Sequence, residues 1–252
     1  MEIGNCRGVV LNLADYRESD RLVTLFTLEH GRISGIARGA RRSVKRFGGA
    51  LELFALLNLQ VKFRNALSEL LEADIVTIHS GIRSDLNRIA HAAYASDLIA
   101  TFSPEGLANQ RLFRLLTAYL AHLDAGLATV SDRRFFEINL LNIIGYRPEL
   151  DQCSRCGSLL GEGAERAGRI FGGEVVCRRC GISCREISAE TLELLSRSLK
   201  TGRFGLLSFS SATLDEAGAL LDNAIESHLE KPLRSLAFLR ELGDNQIASL
   251  PS

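Results

Sequence analysis

Two Cys-x-x-Cys-Gly segments, Cys153-Ser154-Arg155-Cys156-Gly157 and Cys177-Arg178-Arg179-Cys180-Gly181, constrain this chain more than any other feature. The two-residue spacing lets a pair of sulfurs and the amides between them wrap one cation. Two such knuckles supply four thiolates, the donor set of a closed tetrahedral Zn2+ site. Between them, Ile170-Phe171-Gly172-Gly173-Glu174-Val175-Val176 reads as a short hairpin. Residues 150–186 are therefore expected to form a zinc ribbon with Cys153, Cys156, Cys177 and Cys180 as ligands. Four sulfur ligands leave no position open for water, so the expected role is structural. Disulfide pairing and redox chemistry are the competing uses. The segment Met1-Glu2-Ile3-Gly4-Asn5-Cys6-Arg7 has no signal-peptide character, which points to a reducing, cytoplasmic setting. Cys184 is a spare thiol that can replace a ligand, and Cys6 reads as a small buried hydrophobe. Arg155, Arg178 and Arg179 either touch phosphate or balance the charge of the thiolates.

Charge is the second constraint. The chain is formally neutral, with 30 basic and 30 acidic residues. Between Arg32 and Arg64, however, eight basic residues (Arg32, Arg38, Arg41, Arg42, Lys45, Arg46, Lys62 and Arg64) stand against the single acid Glu52. Such a local surplus focuses a field on a polyanion whatever the net charge, although a solvated loop carries charge in the same way.

Hydrophobic patterning divides the chain into regions. Residues 1–80 read as five strands: Gly8–Leu13, Arg21–Thr27, Arg32–Arg38, Leu51–Phe63 and Leu67–Ile78. A long basic connection, Gly39 to Gly49, joins the third to the fourth. Five short strands fit a small barrel, of OB type or SH3-like. Residues 81–149 read as helices, with Ser103-Pro104-Glu105 as a start signal, Ser131 as a cap and Gly145 as a stop. After the ribbon, residues 187–252 supply further helices, one starting at Ser188 and one at the capping-box sequence Thr213-Leu214-Asp215-Glu216. The expected class is α+β multidomain: a five-stranded OB-fold barrel, then a helical domain with an inserted zinc ribbon. No apolar run approaches the ~18 residues of a membrane span.

Sequence signals for catalysis are missing. There is no G-x-x-x-x-G-K-[ST], no G-x-G-x-x-G, no H-E-x-x-H and no G-x-S-x-G, and the five histidines (His30, His79, His91, His122, His228) are scattered. Asp15, Glu18 and Asp20 share one turn, where pairing with Arg17 or Arg21 is the ordinary fate of such acids. A binding protein is expected rather than an enzyme.

Several stretches resemble the RecO family of bacterial recombination mediators. These are Asp15-Tyr16-Arg17-Glu18-Ser19-Asp20-Arg21-Leu22-Val23-Thr24-Leu25-Phe26-Thr27 with Gly31, Ala37-Arg38-Gly39-Ala40-Arg41-Arg42, Ile144-Gly145-Tyr146-Arg147-Pro148 ahead of Cys153, and His228-Leu229 with Pro232-Leu233-Arg234-Ser235. They recur in order over essentially the whole chain. The resemblance implies an OB-fold, a helical domain and a zinc ribbon, without catalysis. It also implies binding of single- and double-stranded DNA, annealing of complementary strands, and help, with RecR, in loading RecA onto DNA covered by single-stranded-DNA-binding protein, whose acidic C-terminal tail is a further partner. A cytoplasmic, nucleoid-associated protein with no membrane partner is implied. Arg38 replaces the lysine common before the Gly-Ala-Arg run and keeps its charge. On this reading Arg38, Arg41, Arg42, Lys45, Arg46, Lys62 and Arg64 line the DNA path, with Tyr16, Phe47 and Phe63 as the aromatic candidates for stacking. The competing class is a protein-interaction scaffold that recruits repair partners through acidic tails, with little direct DNA binding.

Overall fold

The computed structural model describes residues 2–64, 66–126, 128–161 and 167–248. The chain falls into two compact units, Met1–Gly126 with Leu233–Ser252, and Leu127–Pro232.

In the first unit, β1 (Ile3–Tyr16), β2 (Asp20–Thr27), β3 (Gly31–Ala37), β4 (Leu56–Lys62) and β5 (Ser68–Thr77) close a barrel in the order β1-β2-β3-β5-β4. All pairings are antiparallel except β3 with β5, where Gly35 faces Ser68 and Ile36 faces Glu69. This is the expected OB-type barrel. β1 is longer than its apolar run suggests, because Ile3–Val9 pair with β4 and Gly8–Tyr16 with β2, across a bulge between Val10 and Asn12. Val10, Val23, Leu25, Ile33, Leu57, Leu59, Val61 and Leu70 fill the interior. Cys6 belongs to this core, and burial, aided by the Glu29 charge, pushes its thiol up to about 12.

Two sequence assignments shift here. Leu51–Ala55 is irregular rather than strand: Phe54 adopts φ 69° and its carbonyl lies 2.9 Å from His79 Nδ1. The Gly39–Gly49 connection contains a single helical turn, α1 (Val44–Phe47), whose Phe47 is 2% exposed and joins the barrel core.

α2 (Leu86–Phe102) packs against both α3 (Gln110–Asp124) and α7 (Arg234–Ala248) within this unit. Ser103 closes α2 instead of opening a helix, and Asn109 caps α3, its Oδ1 accepting from Leu112 N–H at 3.0 Å. The intervening segment bonds to β3 instead: Arg32 Nε donates to the Ser103 carbonyl at 2.9 Å, and Gly106 N–H donates to the Arg32 carbonyl at 2.9 Å. Tertiary hydrogen bonds override the local start signal.

The second unit joins α4 (Val130–Ile144), α5 (Ala189–Lys200) and α6 (Ser211–Glu226) to a three-stranded sheet of β7 (Glu174–Val176), β6 (Gly168–Phe171) and β8 (Arg185–Ile187), in that order. Thr129, not Ser131, caps α4, since the Ser131 hydroxyl accepts from Phe209 N–H at 3.0 Å. Ser210, not Thr213, caps α6, and Glu216 reaches across to α5. Ser188 starts α5 and Gly145 ends α4, as expected. A buried ion network ties α4 to α6: Arg134 donates to Glu137 at 2.7 Å and to Asp222, and Gly218 leaves room for the guanidinium. Burial opposes the Arg134 charge, but Glu137 and Asp222 outweigh it and raise its pKa. α2, α3 and α7 belong to the unit of the barrel and α4–α6 to that of the ribbon. No helix among the described residues is long and apolar enough to cross a membrane.

Candidate metal centre and nucleic-acid interface

The ribbon brings Cys153, Cys156, Cys177 and Cys180 together, with all four Sγ atoms within 4.8 Å of one another. Cys184 is not among them. Each knuckle is folded by its own backbone: Gly157 N–H donates to the Cys153 carbonyl at 2.9 Å, and Gly181 N–H to the Cys177 carbonyl at 3.0 Å. Ser154 N–H donates to the Val175 carbonyl at 3.0 Å, which fastens the first knuckle to the hairpin. Cys156 and Cys177 Sγ lie 3.8 Å apart, and bonds of about 2.3 Å place tetrahedral thiolates about 3.8 Å from one another. The donor set therefore fits a tetrahedral metal ion.

Electrostatics agree with a cation-binding quartet. Hydrogen bonds from Ser158, hydroxyl first and then amide, hold the Cys156 thiol down to about 6. Its hydrogen bond with Cys156, then that with Cys177, pushes Cys180 up to about 12. Cys177 is lowered, chiefly by the Cys180 N–H. Four thiols this close cannot all ionise without a cation to balance them. Arg155 lies across the knuckles, donating to the Cys180 carbonyl at 3.4 Å with its guanidinium 3.9 Å from the Phe171 ring centre. Arg178 and Arg179 are exposed.

On the barrel, the cationic residues gather around acids. Arg38 and Arg64, far apart in sequence, meet at Glu69 of β5, at 3.4 Å and 3.1 Å. Lys62 stands opposite Glu69 in the β4–β5 register. Arg41 pairs with Asp15, near the end of β1, at 3.8 Å, and Arg42 with Glu18, in the turn after it, at 3.4 Å. Asp15 also binds Arg21 at 3.3 Å, and Asp20 accepts from Gly39 N–H at 2.8 Å. Acids at the β1–β2 hairpin end thus fasten the basic connection. Arg46 donates to the Arg38 carbonyl at 2.7 Å, lies 5.2 Å from the Phe47 ring centre, and like Lys45 is exposed. Arg32 stands apart, with its guanidinium on the Ser103 carbonyl. Among the aromatic candidates Phe47 is buried, Phe63 packs on His30 at 4.3 Å, and only Tyr16 is exposed, at 38%.

Sequence reasoning missed Glu69, because the parallel β3–β5 pairing is what brings it to Arg38 at the end of β3. It also overlooked Tyr146 and Phe171, 48% and 44% exposed.

The chain matches the family model described as Recombination protein O N terminal over residues 1–79, and Recombination protein O C terminal over residues 83–237. It is 55% identical over 238 residues to a Geobacter sulfurreducens protein named DNA repair protein RecO, covering 94% of this chain and 97% of that one. Proteins of the same name from Geobacter metallireducens (50% identical; 96% and 99% covered) and Pelobacter propionicus (48%; 94% and 96%) are also similar. The chain belongs to the RecO family of DNA repair and recombination proteins.

Proposed function

We propose that this protein is a non-enzymatic recombination mediator that grips the sugar-phosphate chain of single- and double-stranded DNA, anneals complementary strands and, with RecR, helps load RecA onto DNA covered by single-stranded-DNA-binding protein. It meets that last protein through its acidic C-terminal tail and works in the cytoplasm, at the nucleoid. The observation that carries the reading is the convergence of Arg38, Lys62 and Arg64 on one edge of an OB barrel, continued by Arg41, Arg42, Lys45 and Arg46 on the neighbouring connection. The names of the relatives support it.

Binding of phosphates by these cations releases condensed counterions, so affinity is steeply salt-dependent and nearly indifferent to base sequence. Exposed ion pairs such as Arg42–Glu18, worth about 0–1 kcal/mol each, are weak enough for phosphate to displace. Neutralising two strands at once lowers the repulsion that opposes their pairing. For the ribbon we propose one structural Zn2+ on Cys153, Cys156, Cys177 and Cys180. That ion would supply the cross-link a sheet of three short strands lacks.

The test replaces Arg41, Arg42 and Arg46 together by Ala. The slope of log K against log salt is expected to become shallower by about 2 to 3, read by anisotropy of a labelled oligonucleotide at several salt concentrations. An unchanged slope removes these residues from the DNA path.

A further inference from the structure

The Leu127–Pro232 unit contains a cleft of about 630 Å3, in the range of ligand pockets, lined by residues from the end of α4, the β6–β7 hairpin and the end of α6. Two pairs of flat groups stand at it. Tyr146 and His228 stack at 3.9 Å with their rings 15° from parallel. Phe171 carries the Arg155 guanidinium at 3.9 Å. Both aromatic residues are nearly half exposed, and Arg155 and His228 are exposed as well.

These groups are held in place rather than merely adjacent. Gly145 takes φ 86° after the last turn of α4, and Tyr146 N–H turns back to the Leu141 carbonyl at 2.9 Å, which fixes where the Tyr146 ring leaves the helix. At the hairpin, a Cβ on Gly173 would run into the α6 backbone at Ala224, so the hairpin sits directly on that helix. Arg155 is tied to the Cys180 carbonyl. A rigid pair of π surfaces loses little entropy when a flat ligand arrives.

The polar lining selects the ligand. Glu174 accepts from the Ser154 hydroxyl at 2.8 Å, and Glu149 accepts from the amides of Leu150 and Asp151 at 3.0 and 3.2 Å. Both carboxylates line the cleft, Glu149 beside Arg147 of the same lining at 3.9 Å, and their remaining lone pairs can accept hydrogen bonds from exocyclic amines. We propose that this cleft is a stacking site for unpaired nucleobases of single-stranded DNA, with the phosphates left outside. The proposal rests on the DNA-binding reading above and adds a strand preference, because duplex bases are already stacked and cannot splay into a cleft.

Full-length wild type, Tyr146→Ala, Tyr146→Phe and Phe171→Ala are titrated with a labelled mixed-sequence single strand and with its duplex, at several salt concentrations. Tyr146→Ala and Phe171→Ala should each weaken single-strand binding about tenfold, with the salt slope unchanged and duplex affinity within about twofold. Tyr146→Phe keeps the ring and should bind like wild type. Equal losses on both DNA forms, or none on the single strand, overturn the proposal while the DNA-binding reading stands. So does specific capture in the cleft of a peptide that competes with neither DNA form. Wild type that binds no DNA removes the parent reading itself. If Tyr146→Ala melts early, Phe171→Ala alone decides.

Discussion

Glu216 shows how one side chain joins two helices. It sits one turn into α6, yet it accepts from the Ser188 N–H and hydroxyl at 2.8 and 2.7 Å and from the Thr191 hydroxyl at 2.5 Å, at the start of α5. A carboxylate there meets the positive end of the α5 dipole. Burial works to raise its pKa, but these hydrogen bonds, led by Thr191, outweigh it and hold the carboxyl below the ordinary range. A depressed carboxyl adds stability above the unfolded-state value, about 4.3, and loses it as pH falls through the lower folded value. Glu216→Gln is therefore expected to lower stability by about 1–2 kcal/mol at pH 7. The gap in urea unfolding should shrink as the medium is acidified below pH of about 4. A gap that persists unchanged in acid would mean that packing, not charge, joins the helices.

Among the elements, β5 acts as a latch on the residues that follow β3 and β4. Glu69 pairs with both Arg38 and Arg64 when no polyanion is present, offsetting one of their two charges. Its side chain is 22% exposed, so the pairs are only partly screened. Glu69→Gln should tighten DNA binding about three- to tenfold at low salt, since each surface pair is worth about 0.2–1 kcal/mol. Weaker or unchanged binding in the same anisotropy titration would show that Glu69 does not compete with phosphate. The sequence could not reveal the Arg38 half of this arrangement, because Glu69 reaches Arg38 through a parallel pairing two residues long. What could be read were features with short reach: the strands β2 and β3, the Gly145 stop, the Ser188 cap and both cysteine knuckles. What could not were competitions settled at a distance. Ser103 has every mark of a helix start, but Arg32 claims its carbonyl. Thr213 and Glu216 have capping-box spacing, but Glu216 finds better donors on α5. Tyr146 and His228 drew notice only as parts of a family likeness, since stacking is a tertiary event.

At the scale of the molecule, the cysteine quartet and the barrel cations belong to different units, the quartet to that of α4–α6. Metal analysis is expected to find one Zn2+ per chain. Its chelation should melt the β6–β8 sheet and expose Val175, Val176 and Ile187, all now buried, while the duplex DNA binding proposed for the barrel should survive. A protein that folds cooperatively without metal would contradict the zinc assignment.

The return of the chain from Pro232 into α7 has its own consequence for biosynthesis. During translation the barrel, α2 and α3 are made first, but α7, which packs on α2, is made more than a hundred residues later. A nascent chain thus carries the α2 surface bare while the whole ribbon unit is being synthesised. The ribosome completes the earlier-started unit last, and truncation anywhere before α7 is expected to leave an aggregation-prone intermediate in place of a shorter but sound protein.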